Sequence, residues 1–247
     1  MPIDDPIRAV QALNMSDERQ RSPLSRFAKP FLAFAKLIAP PGGELTLGGL
    51  EAAVDWLGGK AESNLKEFVD VLAEDLNYRG AQVQKLLAEN EAQRKFVADE
   101  LPGLAVDALR RAEQCRAKER IGRLAKILAH AAEVGSQDGP DAVEEMMAIA
   151  TGLSDGEVLV LQLAAEEYHK EKAAHSQEAP RAVAARAWMR VPGIAKSSMS
   201  EDELLSVGAK LESFGLAVRV ERQPWETPVY RPLDRGHKFI EYISRAR

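Results

Sequence analysis

The sequence predicts a mainly α-helical protein: an all-helical N-terminal part, then a smaller α+β part ending in a short two-stranded hairpin. Three observations carry that expectation. Ala, Leu, Glu, Lys and Arg dominate and aromatic residues make up only 6% of the chain, a composition that leans towards helix. Apolar residues recur at spacings of three and four up to about residue 150, the period of one helix face. Alternation of period two begins only after Gly215, with Val218 and Val220 on one side and Arg219 and Glu221 on the other. With 247 residues, 45% of them hydrophobic and 29% charged, the chain is long enough for one large domain or two ordinary ones. The expected organisation is an N-terminal segment over 1–22, a helical domain over 23–152 and a second domain over 153–247.

Residues 4–15 suit a short helix, with Asp4 and Asp5 near its start and Pro6 in its first turn. Ser16 to Ser22 is polar and suits a linker or a frayed tail. Phe27, Phe31, Phe34 and Ile38 share one helix face, kinked or begun at Pro30 and ended by Pro40-Pro41-Gly42-Gly43. Leu47, Leu50, Val54 and Leu57 mark a second helix closed by Gly58-Gly59. A third carries Leu65, Phe68, Val69, Leu72 and Leu76, with an interruption expected near Gly80. Val83, Leu86 and Leu87 continue towards Phe96, and Pro102-Gly103 is the next stop. One further helix is expected from Val106 through Leu109, Ile121 and Leu128 to Ala131, with Glu119 and Arg123 paired on its outer side. Ser136 to Gly139 forms a loop, and Pro140 opens the helix of Val143, Met146, Met147 and Ala150.

Two capping boxes follow. Ser154 with Glu157, and Ser200 with Glu203, place a helix cap and its reciprocal carboxylate three residues apart. Each is flanked by an apolar staple, Leu153 with Val158 and Met199 with Leu204. Between them a weaker helix runs from Ala182 to Arg190, stopped by Pro192-Gly193. Gly215 takes the C′ position of the helix begun at Ser200. After the first strand, a turn with Pro224 and Pro228 leads to a second at Val229-Tyr230-Arg231. Pro232 makes that strand short and places it at an edge. Asp234 is the expected cap of a last helix bearing Phe239, Ile240 and Ile243.

Helix, helix, helix, hairpin, helix is the order of a winged helix-turn-helix domain, and the local text is similar to it. Leu211-Glu212-Ser213-Phe214-Gly215-Leu216 resembles the exit from the third helix in many bacterial winged-helix proteins. Tyr230-Arg231-Pro232-Leu233-Asp234-Arg235-Gly236-His237-Lys238-Phe239 resembles the return from the wing, with Asp234 where threonine is usual. The resemblance covers about 90 residues and implies a fold, not an activity. The N-terminal half loosely resembles helical regions of uncharacterised bacterial and phage proteins, which implies no mechanism.

In the DNA-reading use of a winged helix, the third helix presents Arg, Asn, Gln or Lys to base edges. From Glu201 to Phe214 there is no Arg, Asn or Gln, and Glu201, Asp202, Glu203 and Glu212 face the single base Lys210. The hairpin and tail are the opposite: from Ala217 to Arg247 seven bases stand against four acids. The candidate wing contact surface is Arg219, Arg222, Trp225, Arg231 and Arg235, which suits phosphates or a minor groove. A solvated hairpin with Trp225 folded onto its own core fits the same residues, and both readings stay open.

Little else suggests chemistry. The net charge of −5 argues against a wholly basic nucleic-acid coat. Cys115 is the one cysteine, which excludes an intrachain disulfide and a cysteine-ligated zinc site. His169 and His175 are six apart rather than at the i,i+4 spacing of a helical zinc pair, and suit surface histidines better. Gly58-Gly59-Lys60 has Ala61 and Val54 where a phosphate loop needs a hydroxyl and a glycine. Glu144-Glu145 and Glu166-Glu167 are adjacent on helices and point apart, which does not suit an acid/base pair. Arg110, Arg111, Arg116 and Lys118 near Cys115 could activate it, but a half-buried helical cysteine is the better reading.

The expectation is therefore no catalytic residue, no cofactor and no metal. The first residues lack a cationic start followed by an apolar run, so no secretory leader is expected. The longest apolar stretch, Phe31 to Ala39, is broken by Lys36 and falls short of the roughly 18 residues of a span. A cytoplasmic location is expected. Arg26, Lys29 and Lys36 beside the phenylalanines of the Pro23 to Ala39 helix would also suit a membrane surface, though core packing or a partner groove is the commoner use. The leading functional expectation is a non-enzymatic interaction protein that contacts itself or another chain and has no small-molecule substrate. The alternatives are a DNA-binding regulator acting through the basic wing and a membrane-active phage-defence effector.

Overall fold

A computed structural model of the chain describes residues 60–194, 200–220 and 227–244. The elements expected between residues 4 and 59, including the Pro23 to Ala39 helix, lie outside them. The described residues form nine helices and one two-stranded sheet: α1 (Lys60–Glu89), α2 (Glu91–Asp99), α3 (Leu101–Gln114), α4 (Lys118–Asp138), α5 (Pro140–Gly152), α6 (Asp155–Ala174), α7 (Pro180–Ile194), α8 (Glu201–Ser213), β1 (Ala217–Val220), β2 (Val229–Pro232) and α9 (Asp234–Ile243). The protein is mainly helical, with a small antiparallel sheet near its C-terminal end.

Several boundaries differ from the sequence reading. The long α1 runs straight through Gly80. A glycine costs a helix only about 1 kcal/mol relative to alanine, and Leu76 and Val83, buried on either side of it, hold the helix in place. Pro102 opens α3 in its first turn instead of closing a helix, the position where its missing N–H is harmless. The helix expected from Val106 to Ala131 breaks at Cys115, where the Asn64 side-chain amide donates to the carbonyls of Ala112, Glu113 and Cys115 at 3.2, 3.4 and 2.7 Å. That cap comes from α1, so no pattern local to the break announces it. The loop expected over 136–139 shrinks to Gly139, whose φ of 81° lies in the left-handed region, and α4 continues to Asp138.

The buried face of α4 is unusually wide, taking in Ile121, Leu124, Ala125, Ile127, Leu128, Ala129, Ala131 and Ala132. It packs against α1, α2, α3, α5 and α9, and its alanines let those neighbours approach. Arg123 is buried here rather than paired outside with Glu119. Its Nη2 donates to the Leu153 carbonyl at 2.7 Å, between α5 and α6.

In the C-terminal part both capping boxes form in full, Ser154 with Glu157 and Ser200 with Glu203. Helix α7 passes the expected stop and takes Pro192 inside its last turn, ending two residues later. At the end of α8, Gly215 has φ 66°. Leu216 N–H donates to Leu211 at 2.9 Å and Gly215 N–H to Glu212 at 2.8 Å, the paired bonds of a Schellman stop. Strand β1 pairs with β2 in the register Ala217 with Pro232, Val218 with Arg231, Arg219 with Tyr230 and Val220 with Val229. Leu233, not Asp234, is the N-cap of α9, and no side chain caps it. A single buried cluster runs from Leu65 to Ile243. Tyr168, Val183, Ala184 and Ala187 form a small satellite against which Val220 packs. No single described helix is long and apolar enough to cross a membrane.

Candidate functional site

The register separates the candidate wing residues. Directly opposed residues share a face of a two-stranded ribbon, so Arg219 lies on the Tyr230 face and Arg231 on the Val218 face. The Tyr230 ring is buried between Trp188 of α7, 5.1 Å away by ring centroids, and the backbone of Gly208 in α8. Arg219 is exposed, and its backbone N–H donates to Glu212 at 3.1 Å. On the other face the Arg231 guanidinium stands 6.0 Å from the Tyr168 ring of α6. Arg235 joins neither: its Nη2 meets Glu145 of α5 at 2.5 Å. Arg222 and Trp225 lie outside the described residues.

Helix α8 turns Asp202, Glu203, Ser206, Ala209 and Glu212 outward. Its base, Lys210, donates to both oxygens of Glu157 at 2.8 Å. Burial acts to raise the Glu157 carboxyl, but the bonds from Lys210 and Ser154 outweigh it and hold it below its usual range. The outward surface of this helix therefore offers carboxylates and small side chains and no hydrogen-bonding cation.

Most of the other described bases of the C-terminal part are likewise matched. Glu167 and Glu171 are buried on α6 at its contact with α7. Arg186 bonds Glu171 at 2.9 Å and Glu178 at 2.8 Å, Arg190 bonds Glu171 at 2.8 Å, and Lys170 bonds Glu167 at 2.6 Å. The Arg186 hydrogen bond first, then the charge of Arg190, holds the Glu171 carboxyl down against burial. His175 sits beside Glu171 at 3.4 Å. This lattice locks α7 onto α6.

A different grouping forms where α6, β2 and α9 meet. The His169 and His237 rings lie 4.7 Å apart by centroids, tilted by 50°. Lys172 follows His169 by one turn, and Arg231 stands over the neighbouring Tyr168. His169 and Lys172 are exposed, and His237 and Arg231 half-buried. Burial first, then His169, pushes the His237 imidazole below the usual histidine range; Arg231 and Lys172 act the same way and Asp234 opposes them. Sequence reading put His169 at the surface but could not pair it with a residue 68 positions later.

Deeper, α1, α4 and α9 share a polar junction. Arg79 donates to Asp75 at 3.0 Å, to Glu133, and to the Ser244 carbonyl at 3.0 Å, with His130 Nδ1 also at 3.0 Å. The His130 ring meets the Tyr242 ring edge-on at 4.5 Å. Tyr242 and Lys238 both donate to Asp138 at 2.6 Å. Cys115 is half-buried, and burial raises its thiol despite Arg120 and Arg123, so it is not an activated nucleophile. Among the described residues no three His, Cys, Asp or Glu side chains converge as a metal-binding group. No protein-family model, curated protein or solved structure matches this chain.

Proposed function

We propose that the protein is a non-enzymatic interaction protein: a helical body carrying a C-terminal region of winged-helix type that is used for protein contacts. The observation that supports this best is the outward face of α8. Asp202, Glu203 and Glu212 would meet phosphates with like charge, and Lys210 is already bound to Glu157. Ser206 and Ala209, small and exposed between the acids, suit the close approach of another polypeptide.

The test has two arms. Mixed-sequence duplex DNA titrated at low and near-physiological salt should give no saturable binding. Tight binding with the steep salt dependence of phosphate contacts would defeat the proposal. In nuclease-treated lysate, a protein co-purifying with the chain should be lost from the Ser206→Arg/Ala209→Arg variant, which leaves the buried side of α8 intact. Wing-led DNA binding is the second reading, favoured by Arg219, which is exposed and forms no ion pair with a described carboxylate. It requires that Arg219, Arg222 and Arg231 changed together to Ala abolish DNA retention.

A further inference from the structure

Where His169 and His237 meet, Lys172 and Arg231 bring two cations that no described carboxylate pairs with to one place on the C-terminal part. Lys170, Arg186, Arg190, Lys210, Arg235 and Lys238 each reach an acid of this chain. Lys172 and Arg231 form no ion pair with a described carboxylate. Both act on the His237 imidazole, which is in ring contact with His169, and all four side chains are presented by three elements packed against one another. Two cations held on packed elements repel one another, so a bound counter-charge near them gains from both at once, and from an imidazole once it is protonated.

We propose that His169, Lys172, Arg231 and His237 form a binding site for a phosphoryl dianion carried by a protein partner. The carrier rests on the protein-contact function proposed above; the anion specificity rests on the four side chains alone. Arg231 supplies a planar fork held over the Tyr168 ring, which suits the oxygens of a phosphate. Lys172 supplies a mobile point charge. The imidazoles supply donors whose protonation the ligand itself promotes. A divalent cation fits worse: the two rings could reach one metal, but two fixed positive charges stand near them and no third ligand converges among the described residues. A nucleic-acid track also fits worse, because the group is compact and α8 beside the hairpin presents acids, whereas duplex binding draws on a run of phosphate contacts.

Proton linkage gives the site a signature that a passive patch would lack. The charged and titratable groups facing His237 are His169 and Lys172 from α6, Arg231 from β2 and Asp234 from its own helix. Towards α4, Lys238 is already held by Asp138. With its imidazole held below the usual range, His237 is neutral at neutral pH. A bound dianion favours the imidazolium, so binding takes up protons and tightens as pH falls from about 7.5 to about 6.5.

The experiment follows the His169 and His237 ring resonances of the full chain while a phosphoserine peptide with neutral flanks, its serine counterpart, inorganic phosphate, Zn2+ and a short DNA duplex are titrated separately. The phosphopeptide should shift both histidines with saturation, inorganic phosphate should displace it, and the serine peptide should do nothing. Lys172→Ala and Arg231→Ala should each weaken binding roughly tenfold with unchanged thermal unfolding. Calorimetry in two buffers of different protonation enthalpy should report proton uptake. The proposal is overturned if phosphate and phosphopeptide leave both resonances unmoved, if Zn2+ alone moves them, or if both variants bind as the parent does. Silence towards every anion would overturn this site without touching the α8 observation. Preferential binding of duplex DNA through the same residues would overturn both this site's carrier and the protein-contact function.

Discussion

Arginine has no hydrogen-bond acceptor, and that fact fixes the state of His130. Arg79 Nη1 lies 3.0 Å from Nδ1 of the ring, so Nδ1 accepts and the imidazole is neutral with its proton on Nε2. Burial first, then the charge of Arg79, pushes His130 below the usual histidine range, and His237 is displaced in the same direction. The unfolded chain therefore takes up protons before the folded one. These groups contribute stability that is complete above the unfolded value near 6.5 and is lost as pH falls from there towards the folded values. Urea midpoints measured between about pH 7.5 and about pH 5.5 should fall for the parent and fall less steeply for His130→Gln, whose side-chain oxygen can still accept from Arg79. Parallel slopes would refute the assignment. Arg79 itself neutralises Asp75 and Glu133, both buried. Arg79→Met should accordingly cost about 3–5 kcal/mol by denaturant unfolding, the usual penalty for stranding buried charge.

At the scale of elements, close packing of α8 on the hairpin depends on one missing side chain. A Cβ added at Gly208 would stand 2.3 Å from the Tyr230 ring, and that ring is fixed from behind by Trp188. Gly208→Ala would gain about 1 kcal/mol of helix propensity, yet a clash of this kind commonly costs about 1–3 kcal/mol. The variant should unfold at lower denaturant, and Tyr230→Leu in the same background should recover part of the loss. A more stable Gly208→Ala would show that the ring moves aside freely. Sequence alone made α8 legible at both ends, because its cap at Ser200 and its stop at Gly215 are written within a few neighbouring residues. The break at Cys115 was not legible, since its cap comes from Asn64, 51 positions away. Nor was the continuity of α1 through Gly80, which rests on the packing of α1 against α4, α3 and α2 rather than on local propensity. The acid-rich character of α8 could be counted from the text. The meeting of His169 with His237 could not, because α6 and α9 are brought together only by the shared core.

For the whole molecule, the decisive connection runs from the last helix back to the first two-thirds of the chain. Phe239, Tyr242 and Ile243 enter the continuous core. The Tyr242 hydroxyl donates to Asp138 across 104 positions of sequence, and Arg79 reaches the Ser244 carbonyl across 165. Burial first, then the bond to Asp138, pushes the Tyr242 phenol upward, which keeps it protonated and donating. On the other side, burial acts to raise Asp138, but hydrogen bonds from Lys238 and Tyr242 outweigh it and hold the carboxylate ionised. Helix α9 also packs on α6 and β2, so it joins the hairpin-bearing region to the α1–α5 body. Tyr242→Phe removes a hydrogen bond to a charged acceptor and should cost about 1.5–3 kcal/mol. If the two regions unfold together, amide exchange in α4 and in α7 should accelerate by the same factor in this variant, although α7 lies far from the change in sequence. Acceleration confined to α4 and α9, with α7 and α8 exchanging as before, would show two independent units.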